Sequence, residues 1–238
     1  MKIRSKILFI SMFFVWTIFF VLGSPLLLLP KRFALQTCQS FGHTMIFLLR
    51  IIGGVRTEIR GLEKLPKGGY ILASKHQSEW ETFVIGYMIN WPMFVIKKEL
   101  LSVPFFGWFM RRSGLIAVDR KATGGVMRQM VKQAMPLLAE NKVIVLFPEG
   151  TRTKPGVRSK YKAGIAALYT AANVPVIPVA VNAGVFWAKH VIHKKGTAVL
   201  EILDPIPTGL PQEEFLALLE NTIEDASMRL YEEAQTKS

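Results

Sequence analysis

Cysteine is almost missing from this chain, with one residue, Cys38, in 238. A lone thiol builds neither an intrachain disulfide nor a Cys-rich zinc site, so a secreted disulfide scaffold is excluded and a cytosol-facing domain is the simpler expectation. Acidic residues are scarce over most of the length: residues 1–198 hold 28 Lys or Arg against 8 Asp or Glu, whereas 199–238 hold 2 against 9. The net charge of +13 therefore belongs to the body and predicts a polyanionic partner, such as a nucleic acid, an anionic membrane or a phosphorylated substrate. Nucleic-acid signatures are lacking too. No zinc-finger spacing, RNP-type strand or basic-region helix is present, and no nucleic-acid partner is expected. Only 20% of residues are charged and 50% are hydrophobic, with a mean hydropathy of +0.30. That excludes global disorder and exceeds an ordinary soluble enzyme.

The excess of apolar residues is concentrated at the start. Ile7 to Leu29 is a 23-residue stretch without a charge, flanked by Lys2, Arg4 and Lys6 before and Lys31 and Arg32 after. As one helix it would reach about 35 Å, enough for a hydrocarbon core of about 30 Å. Gly23-Ser24-Pro25 interrupts it, and proline disfavours helix at the residue before it, so a bend or helix end is expected there. A second apolar stretch over 33–52 carries Gln36, Gln39, Ser40, His43 and Arg50, a mixture suited to an interfacial or packed helix. Residues 1–54 are thus expected to form a membrane-embedded helical hairpin, and 55–238 a separate catalytic domain. A cleaved signal peptide competes with this reading, but the apolar run is longer than a typical signal core and no small-x-small cleavage site follows it.

Beyond residue 55 the texture is α/β. Short apolar strands are expected at 55–60, 69–74, 93–97, 115–118, 143–147, 176–182 and 197–203, with amphipathic helices over 124–139, 162–173 and 212–234. Continuously apolar strands separated by helices predict a mostly parallel sheet covered by helices. The acidic tail keeps Phe215, Leu218, Leu219, Ile223 and Leu230 on one face, which predicts a packing helix with a charged outer side.

Two strand ends carry chemistry. After the strand at 69–74 comes Ser74-Lys75-His76-Gln77-Ser78-Glu79-Trp80-Glu81, and a histidine there can take a proton from a hydroxyl if a carboxylate fixes its tautomer. Glu81, one turn into the following helix, is the candidate partner and Glu79 its competitor; a histidine beside a glutamate also describes an ordinary polar loop with a helix N-cap. After the strand at 143–147 comes Pro148-Glu149-Gly150-Thr151-Arg152-Thr153, where a guanidinium can hold phosphate bidentately and a carboxylate can orient it. His190 and His193 have no carboxylate or cysteine at a matching spacing and read as basic surface residues, so no metal site is expected.

With these blocks in order, the chain resembles the glycerolipid acyltransferases of the 1-acylglycerol-3-phosphate acyltransferase family over about residues 70–185. The His-x4-acid motif is met by His76 and Glu81, the FPEGTR block by 147–152, a middle block by Lys97-Lys98-Glu99-Leu100, Pro104-Phe105-Phe106-Gly107, Gly114 and Asp119-Arg120, and an apolar proline segment by 174–180. Glu81 stands where most of that family has aspartate, and Lys75 replaces the more usual asparagine, adding charge beside the site. The resemblance implies His76 as general base and Glu81 as its orienting acid. It further implies an acceptor site formed by Glu149, Gly150, Thr151 and Arg152, supplemented by Arg120 and Lys98. The implied partners are a lysophospholipid acceptor, an acyl-CoA or acyl carrier protein donor, and a membrane whose cytoplasmic face, in a bacterial inner membrane, would hold the enzyme. Direct attack needs no cofactor and no acyl-enzyme. Another lysolipid acceptor, such as a lyso-ornithine lipid, and a non-catalytic lipid-binding protein are the alternatives.

Overall fold

The structure, a computed structural model, describes residues 2–119 and 125–236. Helix α1 (Lys2–Trp16) continues through a wider π-type turn to Leu22, and after a short 3-10 segment α2 (Lys31–Leu48) runs back, ending in a second π-type turn at Leu49–Gly53. The beginning of α1 packs on the end of α2, so the two form a hairpin whose bend lies at Gly23-Ser24-Pro25. Lys2–Leu22 is long and apolar enough to cross a membrane by length and composition. Its outward side, with Ile3, Ile7, Phe9, Ile10, Phe13, Phe14 and Ile18, is exposed. On the inward side Phe20 is fully buried and meets Phe41, Phe106 and Phe109 edge-on, at ring-centroid distances of 4.8, 5.2 and 5.3 Å. Such aromatic pairs contribute about 0.5–1.5 kcal/mol each beyond the area they bury, which ties the hairpin to the body. Gly42 on α2 lets the second helix approach closely: a Cβ there would stand 3.3 Å from the Phe83 carbonyl oxygen.

The body follows as β1 (Val55–Arg60), β2 (Ile71–Ser74), α3 (Trp80–Met88), β3 (Met93–Lys97), α4 (Phe106–Ser113), β4 (Ile116–Val118), α5 (Val126–Ala139), β5 (Ile144–Leu146), α6 (Gly164–Ala172), β6 (Val176–Val181), a small hairpin β7 (Trp187–Ala188) and β8 (Val191–Ile192), β9 (Gly196–Ile202) and α7 (Gln212–Thr236). Seven strands form one sheet in the order β1-β9-β6-β2-β5-β3-β4. Every pairing in it is parallel except β6 with β9. The mostly parallel sheet expected from the apolar strands is present, each strand within two residues of its expected span. The helix expected over 124–139 is seen as Val126–Ala139, residue 124 lying outside the described residues.

Alternation along the central strands shows why they are apolar throughout. Leu72, Val145, Ile177 and Val179 face Trp80, Val84 and Ile85 of α3, while Ile71, Ala73, Ile144 and Val176 face Met130 and Ala134 of α5, Ile165 and Leu168 of α6, and Phe215, Leu219 and Ile223 of α7. A sheet covered on both faces has no solvated side on which a polar residue could alternate. The acidic tail is a packing helix as its apolar stripe predicted, with Phe215, Leu219, Ile223 and Leu230 buried and Leu218 turned out to solvent. One helix, α4, has no counterpart among the expected elements. It is only eight residues long and carries in its last turn Arg111 and Arg112, both exposed, which donate to the Leu101 and Leu29 carbonyls.

Candidate active site

The strands β2 and β5 are neighbours in register, so the segments leaving their carboxyl ends emerge side by side. Here the two sequence blocks meet. The His76 carbonyl accepts from Thr153 twice, from its amide at 2.7 Å and its hydroxyl at 3.1 Å. The His76 amide donates to Glu149 Oε1 at 3.2 Å. Gly150, at φ 71°, lets the turn close with its amide on the Phe147 carbonyl at 3.0 Å, a left-handed conformation that favours glycine. The Phe147 ring lies flat against the imidazole of His76, 3.9 Å between centroids.

Glu81 sits in the first turn of α3, wholly buried. Its Oε1 is 2.7 Å from His76 Nδ1 and accepts the amides of Gln77 at 2.7 Å and Ser78 at 2.8 Å, while Oε2 accepts the Ser78 hydroxyl at 3.0 Å. The Ser78 hydroxyl in turn accepts the Trp80 amide, closing a rigid loop. A carboxylate so placed accepts from Nδ1–H and leaves Nε2 as the basic nitrogen. Glutamate in place of aspartate is accommodated because the carboxylate is gripped by backbone amides of the same loop. Glu79, the competitor for this role, points elsewhere: it pairs with Arg152 and lies 3.7 Å from His190 Nε2.

Beside the imidazole opens a cavity of about 1970 Å³. Its polar end has His76, Glu79, Gly150, Thr151, Arg152, Lys154, Lys162 and Lys194. Its apolar end runs past Phe94, Ile96, Phe106 and Met110 to Phe20, Leu35, Cys38 and Phe41 of the hairpin. The site therefore combines a base, a cationic mouth and a greasy channel, which suits an amphiphile with an anionic head.

Residues 56–182 match the acyltransferase family. The chain belongs to that family. It is 38% identical over 176 residues to the 1-acyl-sn-glycerol-3-phosphate acyltransferase of Pseudomonas aeruginosa, covering 74% of this chain and 68% of that protein. To the human 1-acyl-sn-glycerol-3-phosphate acyltransferase alpha it is 29% identical over 199 residues, covering 81% and 69%. The crystal structure of the 1-acyl-sn-glycerophosphate (LPA) acyltransferase PlsC from Thermotoga maritima shares the fold, with a TM-score of 0.79, 22% identity, and coverage of 96% of this chain and 97% of that one. The enzyme is thus an acyltransferase of the 1-acylglycerol-3-phosphate acyltransferase family.

In this acyltransferase His76, Glu81, Gly150, Thr151 and Arg152 come together as expected from their motifs, and the rest of the set is distributed differently. Glu149 is buried behind His76 rather than lining the cavity, and burial pushes its carboxyl up to about 7 against the pull of Lys75. Lys98 points outward, two-thirds exposed, with Asp119 at 3.8 Å, because the short turn after β3 directs it away from the mouth; Lys97 lines the cavity instead. Arg120 lies outside the described residues. Lys75 adds no charge to the mouth, for it is 1% exposed and bonded to Glu224 of α7 at 2.6 and 2.8 Å. Two features escaped sequence reasoning. The Glu79–Arg152 pair joins positions 73 apart and left no local signal. Glu224 did leave one, an acid directly after Ile223 and three before Ser227 on the apolar face of α7.

Proposed function

We propose that this acyltransferase moves a fatty acyl group from acyl-CoA or acyl carrier protein to 1-acyl-sn-glycerol-3-phosphate, yielding phosphatidic acid. The observation that carries the reading is the Glu81-bound imidazole at the boundary between the cationic mouth and the apolar channel. The acceptor's free hydroxyl attacks the thioester carbonyl carbon as His76 Nε2 takes its proton, and a C–O bond forms. Glu81 stabilises the imidazolium. The tetrahedral intermediate then collapses, the C–S bond breaks, and the departing thiolate receives the proton from His76. No acyl-enzyme intervenes. Arg152 holds the acceptor phosphate, exchanging Glu79 for it, with the lysines of the mouth adding to the field.

The hairpin at 1–54 embeds the enzyme in a membrane through the exposed face of α1, and the domain at 55–238 faces the cytosol, where both donors occur. Lys2, Arg4 and Lys6 put the first residues on that side under the positive-inside rule, which makes the hairpin re-entrant rather than a single span. The test is product analysis with purified enzyme, both donor types and a panel of lysolipids. Phosphatidic acid from 1-acyl-glycerol-3-phosphate is expected. Acylation of lyso-ornithine lipid alone would overturn the acceptor, and binding of lysolipid without any product would overturn the reaction.

A further inference from the structure

A second group of buried charged side chains lies behind the site, besides Glu81. Lys75, Glu149 and Glu224 are 1%, 4% and 2% exposed. The Lys75 ammonium bonds both oxygens of Glu224, stands 3.6 Å from Glu149 Oε1, and reaches the Val157 carbonyl at 3.5 Å. That same Glu149 oxygen accepts the amide of His76, while Oε2, also buried, makes no hydrogen bond among the described residues. One cation thus serves two carboxylates, one on α7 and one in the turn that grips His76. Burying three ionisable groups together is costly, and a buried ion pair is by itself weak evidence of stabilisation.

We propose that Lys75 and Glu224 are positioning residues, with Glu224 setting how much of the Lys75 ammonium is available to keep Glu149 ionised against the His76 backbone. An ionised Glu149 makes a charge-assisted bond to the His76 amide, stronger than the bond a neutral carboxyl would make. With Thr153 on the carbonyl of the same residue, this fixes the peptide unit that carries the base. Every element around Glu149 contributes a charged or titratable group: Lys75 from the end of β2, His76 with its partner Glu81, Tyr161 from the segment before α6, and Glu224 and Glu220 from α7, the latter accepting the Tyr161 amide at 3.1 Å. Tyr161 is itself pushed above the ordinary phenol range by burial and by these carboxylates, so it stays neutral and adds no negative charge beside Glu149.

The signs separate this role from a merely structural one. Lys75→Met removes the cation and makes Glu149 easier to protonate, moving the acid limb of kcat to higher pH. Glu224→Gln leaves the whole ammonium to Glu149 and moves the limb to lower pH. Shifts of about one pH unit, a tenfold change in proton affinity, are expected in these opposite directions. Lys75→Arg should keep the wild-type limb, and in a Glu149→Gln background neither substitution should move it. Should Lys75→Met fail to fold, Lys75→Met/Glu224→Gln leaves no uncompensated charge from the pair and should still show the upward shift. Shifts of the same sign, folded variants with no shift, or shifts that persist without Glu149 would overturn the proposal.

The kinetic readout rests on the acyl-transfer reading, and a thermal one does not. A raised Glu149 contributes stability that is full below its unfolded value of 4.5 and is lost as pH rises through about 7. The fall in Tm between pH 5 and 8 should therefore be smaller in Glu149→Gln than in wild type. It should be larger in Lys75→Met/Glu224→Gln than in the triple variant that adds Glu149→Gln. An enzyme transferring no acyl group, yet showing these slopes, would sink the reaction and keep the charge trio; equal slopes with normal turnover would do the reverse.

Discussion

Replacing Glu81 with glutamine removes one charge while keeping the size of the side chain, so it isolates what the carboxylate does for the imidazole. The amide oxygen can still accept from His76 Nδ1 and from the amides of Gln77 and Ser78, as Oε1 does now, and the fold of the loop is expected to survive. The attraction between the carboxylate and the imidazolium formed during proton transfer is lost. Opposite unit charges about 4 Å apart at an effective dielectric near 20 attract by about 4 kcal/mol, and each 1.4 kcal/mol is about tenfold in rate. Part of that is retained by the amide dipole, so kcat should fall by about 10²–10³-fold, within the range known for general acid–base contributions. The effect should spare both KM values, since neither substrate touches this buried carboxylate. Thiol release from acyl-CoA, followed with a chromogenic thiol reagent on detergent-purified enzyme, measures it, with a melting curve confirming the fold. A folded Glu81→Gln enzyme within about fivefold of wild-type kcat, under 1 kcal/mol of barrier, would refute the dyad.

Other expectations follow from the mouth and the hairpin. Arg152→Ala should raise the acceptor KM by about 10–100-fold, the span of a charge-assisted bond of about 1.5–3 kcal/mol, and leave donor saturation alone; steady-state kinetics with each substrate varied would check it. Glu79→Gln should lower the acceptor KM by about two- to fivefold, since a partly exposed pair competing with the phosphate is worth about 0.5–1 kcal/mol, and a large loss of kcat there with a silent Glu81→Gln would place the dyad on Glu79 instead. High salt should fail to strip the enzyme from membranes where detergent succeeds, because screening weakens charge but not the apolar insertion of α1. In a Cys38→Ser background, single cysteines at Ser5 and Ser238 should both be protected from an impermeant reagent in right-side-out vesicles, and labelling at Ser238 would contradict the cytosolic domain.

How much of this was legible in the sequence follows from the range of the interactions involved. Strands such as β5 and β6 declare themselves because a doubly covered sheet imposes an unbroken apolar run on the chain itself. The Pro25 break and the His76-to-Glu81 spacing are local in the same sense, one turn or one loop long. Arg152 and Glu79 meet only because β2 and β5 are adjacent, and that adjacency is a property of strand order, which no residue pattern encodes directly. Lys75 was readable as an unusual charge next to the histidine, but its partner is 149 positions away on α7, so its effect was assigned to the wrong side of the strand end. α4 differs again: its apolar and basic residues do fall on opposite sides, but over only eight residues, about two turns, such a pattern does not by itself tell a helix from a loop.

The central claim is direct attack by the acceptor hydroxyl with His76 as base, and single-turnover chemistry tests it most directly. Purified enzyme in vesicles, mixed with radiolabelled acyl-CoA and 1-acyl-glycerol-3-phosphate, should pass label straight into phosphatidic acid with none retained on the protein, and His76→Ala, equally well folded, should form no product on the same timescale. Label held covalently by the enzyme before product appears, or undiminished phosphatidic acid from His76→Ala, would contradict it.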